Sequence, residues 1–125
     1  MIGYATLGTN DLDRAGGFYD KIAEALGGKR VFKNDRGIGW SVNRGPMLML
    51  MKPFDGHAAS VGNGTMIALA ADTQDQVRNV YAKAIELGGT CEGEPGWRGP
   101  EGGFYGAYFR DLDGNKLCVY RMGPA

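Results

Sequence analysis

The chain has 125 residues, the size of one typical domain, and its apolar and charged fractions of 43% and 22% are those of a globular protein. Its 14 basic and 14 acidic side chains leave no net charge. The two signs are interspersed, which excludes the basic surface of a nucleic-acid-binding protein and a polybasic membrane anchor. The N-terminus lacks a signal-peptide pattern and no apolar run is long enough to cross a membrane, so we expect a cytoplasmic protein.

Glycine is unusually frequent, with 22 residues in a chain of 125 against the roughly 7% of average proteins. Such a composition predicts many turns in a strand-rich fold. The chain also repeats itself, because a shift of 62 positions superposes Leu7 on Leu69 and Tyr19 on Tyr81. In both copies an apolar strand is followed by an amphipathic helix, a Gly-Gly pair and further strands. Two copies of one unit predict a duplicated module rather than a solenoid.

We therefore predict an α+β fold of two tandem βαβββ modules within a single domain, 1–125. The first module spans about 1–55 and the second about 64–125. A connector over 53–64 carries an Asp-Gly turn and a glycine-rich stretch, both typical of loops.

In the first module, Asn10 or Asp11 is expected to cap a helix whose apolar residues recur at helical spacing from Leu12 to Leu26. The Gly-Gly pair after Leu26 supplies its left-handed end. Alternation and turn residues predict four strands around this helix, over 2–9, 30–33, 38–42 and 46–52.

In the second module, Asp72 or Thr73 is expected to cap a helix with apolar residues from Val77 to Leu87. A Gly/Pro-rich segment over 94–102 interrupts the strand pattern and predicts a mobile lid. The predicted strands of this module lie over 65–71, 89–92, 103–110 and 116–121.

Few residues of the sequence have the spacing of a catalytic or metal-binding motif. His57 is the only histidine, which excludes a multi-histidine metal cluster, and it is either an exposed loop residue or a base at the rim of a pocket. Cys91 and Cys118 lack zinc-site spacing and predict two reduced thiols. The glycine-rich segments match neither the dinucleotide-binding nor the P-loop pattern, so no cofactor is predicted.

Two further features are compatible with ligand binding. Met47, Met49 and Met51 alternate and share one face of a strand, where methionine serves either a core or an adaptable apolar site. Arg98, in the predicted lid, is either a surface arginine or a clamp for an anionic group.

The opening segment 4–12, YATLGTNDL, and the closing segment 108–117, YFRDLDGNKL, resemble the vicinal oxygen chelate superfamily. This is the group of glyoxalases, bleomycin resistance proteins and extradiol dioxygenases. The resemblance covers essentially the whole chain, with Leu112 where proline is usual. It implies that the two modules form an open, cup-shaped curved sheet and that the protein is a homodimer, as many members are.

Enzymatic members of this superfamily carry His, Glu or Gln as metal ligands on the first and last strands of each module. By local motif, these positions correspond here to Tyr4, Met49, Met66 and Cys118. A phenol, two thioethers and a thiol are poor ligands for zinc, nickel, manganese or ferrous iron, so we expect no metal. Methionine with a thiolate would suit Cu(I), but an apolar cup explains the same residues.

The function that these residues predict is the metal-free binding of a small apolar or aromatic molecule in the cup. The alternative is a lyase, isomerase or dioxygenase of the same superfamily, with an oxyanion stabilised by Tyr4, Arg98 or His57 and Cys118 as nucleophile. A third reading is a structural subunit whose cup is closed by its partner. The candidate ligand-binding residues are Tyr4, Trp40, Met49, Met66, Arg98, Tyr105, Cys118 and Tyr120.

Overall fold

A computed structural model describes residues 1–124 and shows within them two helices and eight strands. The βαβββ order occurs twice, and the predicted α+β fold is confirmed. In chain order the elements are β1 (Tyr4–Gly8), α1 (Leu12–Ala25), β2 (Lys29–Lys33), β3 (Gly37–Ser41), β4 (Met47–Met51), β5 (Ile67–Ala70), α2 (Gln74–Glu86), β6 (Thr90–Trp97), β7 (Phe104–Arg110) and β8 (Lys116–Met122). Neither helix of this described part is long and apolar enough to cross a membrane.

Each module forms its own four-stranded sheet, and the two sheets have the same topology. Their strand orders are β1-β4-β3-β2 and β5-β8-β7-β6. The first strand runs parallel to the last in each module, and the other pairs are antiparallel. Within residues 1–124, the helices contact each other, whereas no strand of one sheet contacts a strand of the other.

Each helix covers one face of its own sheet and leaves the other face free of any helix. We call these two surfaces the first and the second helix-free face. The first contains Tyr4, Thr6, Gly37, Gly39, Met47, Met49 and Met51. The second contains Ala68, Ala70, Phe104, Gly106, Tyr108, Arg110, Lys116, Cys118 and Tyr120.

Short sequence signals set both helix ends. The Asp11 carboxylate and the Thr73 hydroxyl each accept a hydrogen bond of 3.0 Å from the backbone N–H three residues later, so these two residues are the caps. Gly27 and Gly88 follow the helices with φ of 82° and 102°, a region that other residues adopt at a cost.

The turn between β7 and β8 is bonded to the first module. Asp111, which is 5% exposed, accepts a hydrogen bond of 2.7 Å from the Tyr19 hydroxyl on α1. The Asn115 side-chain amide donates to the Gly8 carbonyl at 2.9 Å. These bonds, together with the apolar contact between the helices, fix one module against the other.

The region of the predicted lid differs from expectation. β6 continues to Trp97, with Gly96 and Trp97 paired to β7 and residues 94–95 inside a register shift of the same strand, and only a short turn over 98–103 remains before β7. The prediction that all of 94–102 lies outside the strands is therefore wrong for 94–97, and a lid over the remaining turn stays a prediction. Pro95 and the neighbouring glycines obscure the strand pattern, and the strand accommodates them through register shifts around Gly93 and Gly96.

Candidate functional site

A cavity of about 720 Å³ lies between the first helix-free face and the connector. Its floor is formed by strands of the first sheet and its wall by residues 53–60. Apolar groups dominate the floor, and polar groups stand mainly where the strands end. The lining includes Tyr4, Thr6, Phe32, Asn34, Arg36, Met47, Met49, Met51, Lys52, Phe54, Asp55 and Ser60.

The methionines of β4 lie across the neighbouring strand because that strand has glycines opposite them. Gly39 pairs with Met49, and Gly37 pairs with Met51. A Cβ atom at Gly37 would collide with the Met51 sulfur, and one at Gly39 would collide with the Met47 sulfur. The two glycines thus leave room for a continuous floor of flexible, polarisable thioethers.

The connector wall is fastened to the first module. The Ala59 backbone N–H donates to the Asn10 side-chain oxygen at 2.6 Å, and Gly8 lacks a side chain where Ala59 approaches. Phe54 is 89% exposed at the rim, with the Arg36 guanidinium 5.2 Å from its ring centroid. The rim of the cavity therefore offers an aromatic ring beside a cation.

The second helix-free face has a different composition. Tyr108 and Cys118 stand opposite each other on β7 and β8, and the rings of Phe104 and Tyr120 stack with centroids 5.2 Å apart. Cys118 is fully buried, and this burial raises the pKa of its thiol. At neutral pH, Cys118 is therefore a protonated thiol rather than a thiolate.

The four residues expected to line one cup are divided between the two sheets. Tyr4 and Met49 line the cavity over the first helix-free face. Met66 precedes β5 and lines a second, apolar cavity of about 510 Å³ between the modules. Cys118 and Tyr120 lie on the second helix-free face. A single chain brings together only the first two of these residues.

The remaining candidates lie elsewhere. Trp40 is in the core, on the face of the first sheet opposite Met49, although one edge reaches the second cavity. Tyr105 is also in the core and accepts a hydrogen bond of 3.0 Å from an Arg78 side-chain nitrogen. These two residues therefore lie on the helix-covered faces.

His57, expected at the rim, and Arg98, expected in the lid, are both exposed. His57 lies in the connector, where its backbone N–H donates to the Asp55 carboxylate at 2.9 Å. Arg98 follows β6 and reaches the Tyr108 ring. Neither residue belongs to the lining of the first cavity.

Sequence reasoning missed several lining residues, notably Phe32, Arg36 and Phe54. Strict alternation along β2 would be used to predict on which face of the sheet Phe32 lies. A register shift between Arg30 and Phe32 interrupts this alternation. Phe54 stands in a loop without periodicity, and its isolated aromatic character was the one available signal.

The positions that correspond to metal ligands do not fit a divalent metal. Tyr4 and Met49 supply a phenol and a thioether on one sheet, and Met66 and Cys118 supply a thioether and a neutral thiol on the other. Zinc, iron and manganese sites are built from imidazole, carboxylate or thiolate groups. Among the described residues no three His, Cys, Asp or Glu side chains form a cluster that could hold a metal.

The family model of the Glyoxalase/Bleomycin resistance protein/Dioxygenase superfamily matches residues 1–119. The chain belongs to this superfamily. Among solved structures of the superfamily, a glyoxalase/bleomycin resistance protein from Albidiferax ferrireducens is 32% identical, with a TM-score of 0.89 and coverage of 97% of this chain and 98% of that one. A structure described as lactoylglutathione lyase from Agrobacterium tumefaciens is 25% identical, with a TM-score of 0.68 and coverage of 97% and 92%.

A hypothetical protein from S. aureus is also similar, at 26% identity and a TM-score of 0.72, with coverage of 97% of this chain and 92% of that chain. The comparison with curated proteins gave no match. Membership of the superfamily accounts for the fold of this chain, and its function depends on the residues that lie on the two sheets.

Proposed function

We propose that the protein binds a small apolar or aromatic molecule over the first helix-free face, without a metal. The observation that carries this proposal is the cavity of about 720 Å³ floored by the methionines of β4 and flanked by Phe32 and Phe54. Its size falls in the range of about 300–1,000 Å³ of small-molecule sites. Methionine adapts its shape to irregular apolar ligands, and aromatic rings add stacking.

A few polar groups at the cavity can orient such a ligand. Tyr4 is 62% exposed and carries a hydroxyl at the start of β1. Asn34 and Lys52 stand at the opposite end of the cavity floor. One polar group on the ligand is therefore enough to fix its orientation, while apolar burial supplies most of the affinity.

We extend the proposal to a homodimer. Tyr4 on the first sheet is 62% exposed and Met66 beside the second is 42% exposed, so a second copy could bury apolar surface at both places. If the second helix-free face of one copy covers the first helix-free face of another, both faces leave water. Such an arrangement also brings Tyr4 and Met49 of one copy towards Cys118 of the other.

The enzymatic alternative, a lyase, isomerase or dioxygenase, is favoured by the similarity to the structure described as lactoylglutathione lyase. Two observations favour binding instead. The donor set described above is poor for a catalytic metal, and burial raises the pKa of the Cys118 thiol, whereas a nucleophilic cysteine needs a lowered pKa.

The binding proposal is tested with the neutral fluorophore N-phenyl-1-naphthylamine, whose emission rises in apolar sites. We expect saturable binding that EDTA treatment leaves unchanged. Phe54→Ala should weaken it about fivefold, because the probe loses part of an aromatic contact. Phe54 is 89% exposed, so this change leaves the fold intact.

The matched control is Ile85→Ala, which removes a partly exposed apolar side chain on α2, away from the cavity. Its affinity for the fluorophore should equal that of the wild type. Absence of saturable binding, an equal loss in both variants, or loss of binding after EDTA treatment would contradict the proposal.

A further inference from the structure

Two cations flank one tyrosine on the second helix-free face. Tyr108 lies on β7, the strand between β6 and β8. The Arg98 guanidinium is 5.4 Å from the centroid of the Tyr108 ring, and the Lys116 ammonium is 5.6 Å from it. Arg98 approaches from the β6 side and Lys116 from the β8 side. Two positive charges, one from the turn after β6 and one from β8, therefore lie beside the same tyrosine ring.

Arg98 is held in place by backbone rather than by an acid. A Cβ atom at Gly93 would lie 3.1 Å from one terminal nitrogen of its guanidinium, and a Cβ atom at Gly96 would lie 3.2 Å from the other. The guanidinium also donates a hydrogen bond to the Glu94 carbonyl. Because Gly93 and Gly96 have no side chains, the Arg98 guanidinium lies against the β6 backbone at these positions. The cation is therefore held in place without a ligand.

The Glu92 carboxylate interacts with cations of this face: the hydrogen bond from Arg110, and to a smaller extent the Lys116 charge, lower its pKa. In the described part of the chain, neither Arg98 nor Lys116 forms a salt bridge. Arg110, on the same face, is paired with Glu92 at 2.7 Å. The sheet therefore presents one arginine paired with Glu92 and two cations that form no salt bridge within residues 1–124 and can take an external anion.

An aromatic surface adjoins these cations. Phe104 and Tyr120 are stacked with an interplanar angle of 4°, and the Phe104 ring lies over Gly106, where a Cβ atom would collide with it. Residues four apart on a strand are separated by about 13 Å, so the span from Lys116 to Tyr120 matches a bicyclic ring with a short acidic group.

We infer that the second helix-free face recognises an aromatic carboxylate. The carboxylate would accept a charge-assisted hydrogen bond from Arg98 or from Lys116, the other cation would add a longer-range attraction, and the ring would lie against the Phe104–Tyr120 stack. This inference rests on the proposed function, because it names the chemical class of the bound molecule. In the proposed homodimer, this face supplies the cations and one aromatic surface of the composite site, and the methionine floor of the other copy covers the ring from the opposite side.

The test uses two compounds of the same shape, 2-naphthoate and 2-naphthamide, titrated into the full-length protein while its backbone amide resonances are followed by NMR. We expect the acid to bind about fivefold or more tightly than the amide, with shifts on β7 and β8. Raising the salt concentration should weaken the binding of 2-naphthoate but not that of 2-naphthamide, because salt screens the attraction between the carboxylate and the cations.

Lys116→Gln and Arg98→Gln should each reduce the affinity for 2-naphthoate about threefold, as expected for partly exposed ion pairs, and leave 2-naphthamide unchanged. Lys116→Arg should retain the preference for the acid. The matched control is Arg121→Gln, which removes a cation from the other face of β8 and should change neither affinity. The amide spectrum of each variant reports whether it is folded.

The outcomes separate this inference from the proposed function. Equal affinity for acid and amide in the wild type overturns the aromatic carboxylate as the ligand class, and a preference for the acid that survives both Lys116→Gln and Arg98→Gln overturns its recognition on this face; either result leaves the proposed binding of a small molecule unaffected. Failure of both compounds to bind contradicts the proposed function itself, and this inference with it.

Discussion

Tyr19 and Tyr81 occupy equivalent positions in the two modules, yet they have different surroundings. Tyr19 is 2% exposed, and its hydroxyl donates to the buried Asp111 of the second module. Tyr81 is half-buried beside Cys91, and a hydrogen bond to this cysteine raises the pKa of Tyr81 to about 12. The repeated sequence thus preserves the helix in both modules, but the two helices reach across differently: Tyr19 bonds to the buried Asp111, whereas α2 reaches the first module through Gln76, whose side-chain amide donates to the Ala25 carbonyl at 3.1 Å.

The turns before the last strands of the two modules differ in the same way. Asn43 and Arg44 form the first turn with φ of 50° and 59°, and its main-chain bond is local. The second turn is organised by Asp111, whose carboxylate accepts bonds from Tyr19 and from Asn115. One hairpin is therefore closed by local geometry, and the other is held by contacts between the modules.

Asp111→Ala is expected to have the largest effect on the free energy of unfolding, and it tests the difference between the two hairpins. The substitution removes four hydrogen bonds and leaves the buried Tyr19 hydroxyl without an acceptor. We expect the free energy of unfolding in urea to fall by about 3–5 kcal/mol, the cost of breaking a buried polar network.

The exposed Asp35, in a turn of the first module, is the control residue. Asp35→Ala should change the free energy of unfolding by less than about 0.5 kcal/mol. A loss below about 1 kcal/mol in the Asp111 variant would show that the two modules are held together by the apolar core alone.

Much of the fold could be read from the sequence because local signals agree with one another. The Gly-Gly pairs and capping residues mark the helix ends, and Asp113-Gly114-Asn115 marks the last hairpin. β6 was underestimated because Pro95 and its neighbouring glycines are unfavourable in a regular strand, and only pairing with β7 reveals it.

The site was less predictable, because it depends on how the sheets are arranged. Sequence placed Met49 and Cys118 on equivalent strands, but it could not show that one chain keeps the two sheets apart. Trp40 and Tyr105 are buried against the helices because of the register of their strands. A shift of one residue would move each of them to the other face of its sheet, so the sequence could not decide the face. Phe54 contacts the site through a loop whose path only the tertiary structure fixes.

The two tyrosines provide the next test. Burial raises the pKa of Tyr19 well above its ordinary value, with Asp111 as a further cause, so the folded state holds the phenol proton more tightly than the unfolded state. Its contribution to stability is complete below pH of about 10 and is lost as the pH rises towards the folded-state pKa.

Tyr19→Phe should therefore cost about 1–2 kcal/mol at pH 7, and its free energy of unfolding should fall less steeply than that of the wild type above pH 10. Tyr81→Phe should cost less than about 0.5 kcal/mol at pH 7, because the Tyr81 hydroxyl is accessible to water. Urea denaturation between pH 8 and 11 measures both. If the free energy of unfolding depends on pH in the same way in both variants, the Tyr19 and Tyr81 hydroxyls do not differ in their contribution to stability.

The smallest expected effect concerns the local hairpin. Both central residues of its turn have positive φ, and Arg44 pays a steric cost there that glycine does not. Arg44→Gly creates the Asn-Gly pair that this turn type favours and should raise the free energy of unfolding by about 0.5–1 kcal/mol. Gly114→Ala, at φ of 90° in the other hairpin, should lower it by about 1 kcal/mol. Opposite signs in a thermal or urea denaturation experiment would show that left-handed geometry is strained in the first turn and relaxed in the second, and equal signs would contradict this.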